Sequence, residues 1–251
     1  MTQIKKTTLG FILILSAMSY LMISSCTEAQ MKQFSKSVND VNKTMNQPAP
    51  LTNDEVIRGL KEALSVGITN AGGLASKADG YFKNPKLFIP FPPEVKNVED
   101  KLRGLGMNSL CDQFIQSVNR GAENAAAKAA PIFKEAITGM SISDGFQILR
   151  GSENAATEYL KKATTEKLKV AFRPVIEQSL SSVNATKYWS DVTGTYNKIP
   201  FVTKVNTDLP GYVTDRAIQG LFILVADEEA KIRKDPVARV SELLKRVFGS
   251  K

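Results

Sequence analysis

Apolar residues recur at helical spacing from Leu51 almost to the end of the chain. Thr52-Asn53-Asp54-Glu55 has the form of a capping box, in which the threonine caps the first turn and the glutamate bonds back. Behind it Val56, Ile57, Leu60, Ala63, Leu64, Ile68 and Ala71 fall on one face, and Gly72-Gly73 is expected to weaken or end this helix. Residues 84–93 contain four prolines and cannot be helical. They predict an extended segment laid over a bundle, with Leu87, Ile89 or Phe91 turned inward. Pro92 and Pro93 then open a short helix with Val95, Val98 and Leu102 inward, stopped by Gly104 and Gly106.

Residues 107–139 predict a long helical stretch with Leu110, Phe114, Val118, Ala122, Ala125, Ala129 and Ile132 on one side. Its alanine run at 125–130 lets a neighbouring helix come close, and Pro131 is expected to kink it. Ser141-Ile142-Ser143-Asp144 restarts a helix that Gly151 ends. Residues 152–183 follow, with a kink expected at Pro174. A helix over 186–196 carries Tyr188 and Trp189 and is weakened by Gly194. After a loop at 199–210 comes a helix over 211–233. Asp235-Pro236 reads as a cap and a first-turn proline before a last helix with Val240, Leu243, Leu244, Val247 and Phe248, closed by Gly249. No alternating strand run and no fixed-period repeat interrupts this pattern. The expectation is all-α: a single multi-helix bundle over 51–251 with an extended Pro-rich connecting segment.

The front of the chain has a different pattern. Residues 1–25 read as a cleaved signal peptide: Lys5 and Lys6 supply charge, Phe11 to Ile23 is mostly apolar, and small residues follow. Ile23-Ser24-Ser25-Cys26 resembles a bacterial lipobox, in which the cysteine takes a diacylglycerol and the new amine is acylated. Two or more acyl chains hold a protein stably on a membrane, where one holds it only marginally. Cys26 is therefore the expected lipidation site, and the membrane the expected first partner. Thr27, not aspartate, follows Cys26, which by the same resemblance favours the outer membrane of a Gram-negative envelope, facing the periplasm. Residues 26–50 are polar, end in Gln47-Pro48-Ala49-Pro50, and read as a flexible tether with a weak helical pattern at Phe34, Val38, Val41 and Met45.

Composition narrows the chemistry. With 251 residues, 43% hydrophobic and 23% charged, the chain is ordinary globular protein. It contains no histidine, which removes Ser-His-Asp and Cys-His nucleophiles and every histidine-ligated metal. Its two cysteines cannot form a four-cysteine site, and Cys111 on an apolar stripe reads as a buried, inert thiol. Asp79-Gly80 and Asn84-Pro85 supply too few oxygens for calcium and read as turns. No cofactor or metal is expected. The net charge of +8 is mildly basic and unclustered, which suits an anionic lipid surface and argues against a nucleic-acid partner.

From Leu51 onward the chain resembles a family of bacterial exported proteins, the domain of unknown function numbered 4197. The resemblance is carried by Thr52-Asn53-Asp54-Glu55 with Ile57-Arg58-Gly59-Leu60, Asp79-Gly80-Tyr81-Phe82-Lys83-Asn84-Pro85, Asn119-Arg120-Gly121-Ala122-Glu123 and Ile148-Leu149-Arg150-Gly151. It continues through Glu228-Glu229-Ala230-Lys231-Ile232-Arg233, Asp235-Pro236-Val237-Ala238-Arg239 and Leu243 to Gly249. It implies a helical exported domain and no particular activity. Gly121 and Gly145 stand where alanine looks more usual, and each is expected to loosen its helix slightly.

Two constellations are candidates for a binding site. Glu229 falls within the apolar stripe of Ile218, Leu221, Phe222, Val225 and Ile232, with Arg233 one turn on. A carboxylate facing a core must be paired, so an arginine, Arg233 or Arg120, is the expected partner. Asn119, Arg120 and Glu123 lie opposite the apolar face of their helix; they read either as a solvated face or, in a central helix, as a layer meeting Glu229 and Arg233. The acids Asp227-Glu228-Glu229 point in different directions on a helix and make a poor hydrolase pair. Two function classes stand: a membrane-anchored binding or scaffolding module with an envelope protein or lipid partner, and an envelope hydrolase using carboxylate and arginine. The lack of histidine favours the first.

Overall fold

A computed structural model describes residues 31–33, 35–37, 51–181, 184–198, 200–201, 204–239 and 241–249. The chain divides into two units between Pro50 and Leu51. In the first, residues 31–33 and 35–37 are helical and exposed. The expected signal peptide, Cys26 and the rest of the expected tether lie outside the described residues.

The second unit is all-helical among the described residues. Helix α1, Asn53–Ser76, starts at the capping box: Thr52 N donates to Glu55 Oε2 at 2.9 Å, and Glu55 N donates to Thr52 Oγ1 at 3.2 Å. It runs straight through Gly72-Gly73, because Ile68, Ala71 and Ala75 on the same face are buried against neighbouring helices. That packing outweighs the roughly 1 kcal/mol that each glycine costs a helix. The chain turns after Ser76 with Asp79 at φ 65. Gly80 follows, where a Cβ would sit 2.5 Å from the carbonyl oxygens of Leu74 and Ala75. Leu87, Ile89 and Phe91 are all buried, so the proline-rich segment is a strap laid over the helices. A 3-10 turn, Pro93–Val95, leads into α2, Lys96–Gly104.

The long stretch expected over 107–139 is two helices, α3 (Asn108–Ala126) and α4 (Ala129–Thr138). The break falls at Ala127–Lys128, ahead of Pro131. Pro131 stands in the first turn of α4, where its missing N–H leaves no helical bond unmade. Leu110 is exposed, since the buried face of α3 begins at Cys111. Helix α5, Ile142–Arg150, has a second capping box formed by Ser141 and Asp144. Helix α6, Ala155–Ser181, carries Pro174 inside it, and α7 spans Ala185–Tyr196. Helix α8, Leu209–Lys234, is capped by Asp208, which accepts from Gly211 N at 3.1 Å. Asp235-Pro236 opens only a 3-10 turn, Pro236–Ala238. The last helix, α9, begins later, at Glu242–Gly249, with Leu244 N donating to Ser241 Oγ at 3.2 Å. Val240 lies outside the described residues.

Helix α8 packs against α1, α3 and α6, and α6 against α3 and α4. The α3–α6 contact is close because small residues face it. Ala122, Ala125 and Ala126 are buried, and a Cβ on Gly121 would lie 3.2 Å from Ser179 Cβ. A Cβ on Gly145 would lie 2.2 Å from Ile57 Cδ1. Both glycines are seats for a neighbouring helix. Phe133, Phe172, Leu160 and Leu168 fill the interior and are completely buried. Each such side chain contributes about 1.5–3 kcal/mol relative to exposure.

Candidate functional site

Asn119, Arg120 and Glu123 share one job. Asn119 is fully buried and grips a single residue of the strap from both sides. Ile89 N donates to its Oδ1 at 2.9 Å, and its Nδ2 donates to Ile89 O at 2.9 Å and to Ile115 O at 2.8 Å. One turn along, Glu123 Oε1 accepts from the amides of Tyr81 and Phe82, both at 3.1 Å. Its Oε2 accepts from Arg120 Nη1 at 2.6 Å. Arg120 donates through Nη2 to Asp79 Oδ1 at 2.7 Å, and its guanidinium lies 5.3 Å from the Phe82 ring centre. Asp79 also pairs with Lys83 at 2.9 Å. Hydrogen bonds from Lys83 and Arg120 hold the Asp79 carboxyl below the usual carboxylate range. Tyr81 completes the clamp: it is wholly buried and donates its hydroxyl to Ala217 O at 2.6 Å. Burial pushes its phenol well above the ordinary tyrosine value. Gly220 makes room for it, since a Cβ there would lie 2.8 Å from Tyr81 Cε1.

Glu229 and Arg233 form a second cluster. Glu229 Oε1 accepts from Ala156 N at 3.0 Å and from Arg233 Nε at 2.9 Å. Its Oε2 accepts from Thr157 N at 2.8 Å and Thr157 Oγ1 at 2.7 Å. Ala156 and Thr157 belong to the first turn of α6, so Glu229 satisfies amides that the helix cannot and places its negative charge at the positive end of the dipole. Arg233 Nη2 reaches in addition to Ile148 O, near the end of α5, at 3.0 Å. Arg239 closes α8 in the same manner, donating to Ile232 O at 3.1 Å and Arg233 O at 2.9 Å.

The two clusters do not meet. Asn119, Arg120 and Glu123 face the strap, not Glu229 and Arg233, and Asn119 and Glu123 are buried where a solvated face was the alternative. The consecutive acids Asp227, Glu228 and Glu229 go to three places: Lys86 of the strap, Asn70 of α1 and the start of α6. Glu228, read in the sequence only as one of three acids that make a poor hydrolase pair, is buried. Asp208, not singled out in the sequence, is gripped by Arg173 through two bonds of 2.8 and 2.9 Å and thereby held below the carboxylate range. Three consecutive acids on a helix with one apolar face were the available signal for Glu228. Cys111 is buried, and burial pushes its thiol upward.

Among the described residues no group of three His, Cys, Asp or Glu side chains could hold a metal ion, and no helix is long and apolar enough to cross a membrane. Three open clefts have neither Glu123 nor Glu229 on their walls. One of about 510 Å³ has Lys161, Lys169, Asp215 and Ile223 on its walls. Another, of about 610 Å³, includes Asp144, Tyr159 and Lys162. A third, of about 580 Å³, lies between α1 and α8 and includes Glu228.

The fold and these clusters define an all-helical domain whose buried charges tie its elements together. Residues 50–249 match the family model described as Protein of unknown function (DUF4197), and the chain belongs to that family. No curated protein and no solved structure matches it.

Proposed function

We propose that the protein is a lipid-anchored, non-catalytic binding or scaffolding module of the bacterial cell envelope, held at the outer membrane through Cys26 and facing the periplasm. The observation that carries the non-catalytic part is the occupation of two buried acids, the ones at the centre of the two clusters. Glu123 and Glu229 each accept two backbone amides besides an arginine. A general acid or base must exchange a proton with a substrate within hydrogen-bond reach. Carboxylates consumed in this way are structural pins, and that weighs against the hydrolase alternative. The lipobox Ile23-Ser24-Ser25-Cys26 supports the anchor.

Metabolic labelling with a fatty acid tests the anchor. Wild type takes up label and Cys26→Ala does not; label that persists in the alanine variant overturns the reading. Complementation of a strain lacking the gene tests the rest. Activity in cells should follow the amount of folded protein across Glu123 and Glu229 variants. A Glu229→Gln chain that folds as wild type yet fails completely would overturn the reading of Glu229 as a structural pin.

A further inference from the structure

A third buried acid differs from the two pins. The Glu228 side chain is only 7% exposed. Among the described residues it is held by side chains alone. Asn70 Nδ2 donates to Oε2 at 2.9 Å, and Lys231 Nζ donates to Oε1. No backbone group depends on it in the way that the start of α6 depends on Glu229. Lys231 is itself 57% exposed on a long flexible stem. Lys231 is the solvent-facing member of the pair, so another ammonium can take its place on Glu228 without unmaking any backbone bond.

Glu228 also lines a cleft, of about 580 Å³, whose other walls include Val66, Leu74 and Ile232. Leu74 is among the large apolar side chains left exposed. Gly73 forms part of the same wall. A Cβ on Gly73 would meet nothing within 4 Å, and its φ is not in the left-handed region. Neither packing nor backbone geometry calls for a glycine there, and glycine weakens the middle of a helix relative to alanine. Its bare Cα leaves space at that wall of the cleft. Among the described residues each oxygen of the acid has one donor, Asn70 on Oε2 and the solvent-facing Lys231 on Oε1, so Oε1 is the position where an ammonium can be exchanged. A guanidinium fork wants both oxygens, whereas an ammonium is a point charge satisfied by one.

We propose that this cleft binds an organic ammonium on a short apolar stem, whose charge replaces Lys231 on Glu228 and whose stem lies against Val66, Leu74 and Ile232. This rests on the binding-module reading in taking the domain to bind and not to react; it does not require the anchor. The same chemistry occurs in free alkylamines and in the ethanolamine headgroup of lipids.

The test is calorimetric titration of the full processed chain, held in phosphatidylcholine nanodiscs, with n-butylamine, empty discs being subtracted. Butylamine binds and n-butanol does not. Glu228→Gln weakens binding by about tenfold or more. Lys231→Ala removes the internal competitor and strengthens binding about two- to fivefold. A merely structural Glu228–Lys231 pair would not produce that gain. Gly73→Leu fills the cleft and abolishes binding with Glu228 intact, and because nothing crowds Gly73 the variant folds. Nanodiscs containing phosphatidylethanolamine lower the apparent butylamine affinity if the lipid headgroup is the ligand, and leave it unchanged if the ligand is a free amine. No heat with wild type, equal binding of butanol, or an unchanged affinity in Lys231→Ala overturns the proposal. Should fatty-acid labelling show Cys26 unmodified, the same titration in solution still reads the cleft, so the two readings fail separately.

Discussion

Glu229 and Arg233, one turn apart on α8, close the ends of two other helices at once: the carboxylate takes the first amides of α6, and the guanidinium takes a carbonyl near the end of α5. The ion pair between them, at 2.8 Å, fixes both side chains in the position this requires. It is a joint between three helices, which explains why a charge sits in an apolar stripe.

Breaking this joint is costly. Removing one member of a buried pair typically costs about 3–5 kcal/mol. Arg233→Met and Glu229→Gln should each lower stability on that scale in chemical denaturation. Replacing both by apolar residues (Glu229→Leu with Arg233→Met) should not restore wild-type stability. The amides of Ala156 and Thr157 and the carbonyl of Ile148 would still lack partners. A double variant as stable as wild type would mean that the helix ends do not need Glu229.

Asn119→Ala should free the strap. It leaves the buried N–H and C=O of Ile89 unsatisfied, at a cost of about 1–3 kcal/mol for each orphaned group. The amide of Ile89 should exchange with solvent much faster, while amides in the middle of α6 keep their protection. Uniform loss of protection would show that strap and bundle unfold together.

The glycines divide into two kinds. Gly220→Ala drives a methyl against the buried Tyr81 ring, which its hydroxyl bond to Ala217 O holds in place, and should destabilise by about 1–3 kcal/mol. Gly73→Ala meets nothing and should stabilise α1 by about 0.5–1 kcal/mol. Thermal unfolding of the two variants should therefore shift in opposite directions.

The pH profile of stability should be a plateau with two shoulders. Partners hold Asp79, Asp208 and Asp144 below the usual carboxylate range. Their contribution is complete above the unfolded carboxylate value, about 4, and is lost as pH falls through their lower folded values. Burial raises the Tyr81 phenol, so its contribution is complete below the unfolded tyrosine value, about 10, and fades as pH rises beyond it. With no histidine in the chain, little titrates between pH 6 and 8. Unfolding midpoints measured in that interval should coincide, and a slope there would point to a group other than these.

Local signals were legible in the sequence and distant ones were not. Both capping boxes, at Thr52 and Ser141, depend on residues three apart and could be read directly. So could the strap, because prolines forbid a helix in any context, and the pairing of Glu229 with Arg233, which is set by one helical turn. The continuation of α1 through Gly72-Gly73 could not be read, since packing from other helices decides it. Nor could the burial of Asn119, which needs Ile89 to arrive from 30 residues away, or the bond from Asn70 to Glu228 across 158 residues. A polar residue is the same letter on a wet face and under a strap.

The first helix of the bundle and the last lie against each other. Gly59 of α1 receives Val247 and Leu243 of α9, and Glu55 stands 3.8 Å from Arg246. An element early in the bundle thus waits for one late in it. While the chain is still being made, the flank of α1 around Gly59 stays open until α9 is complete and docks there, so this seam is the stitch that closes the bundle.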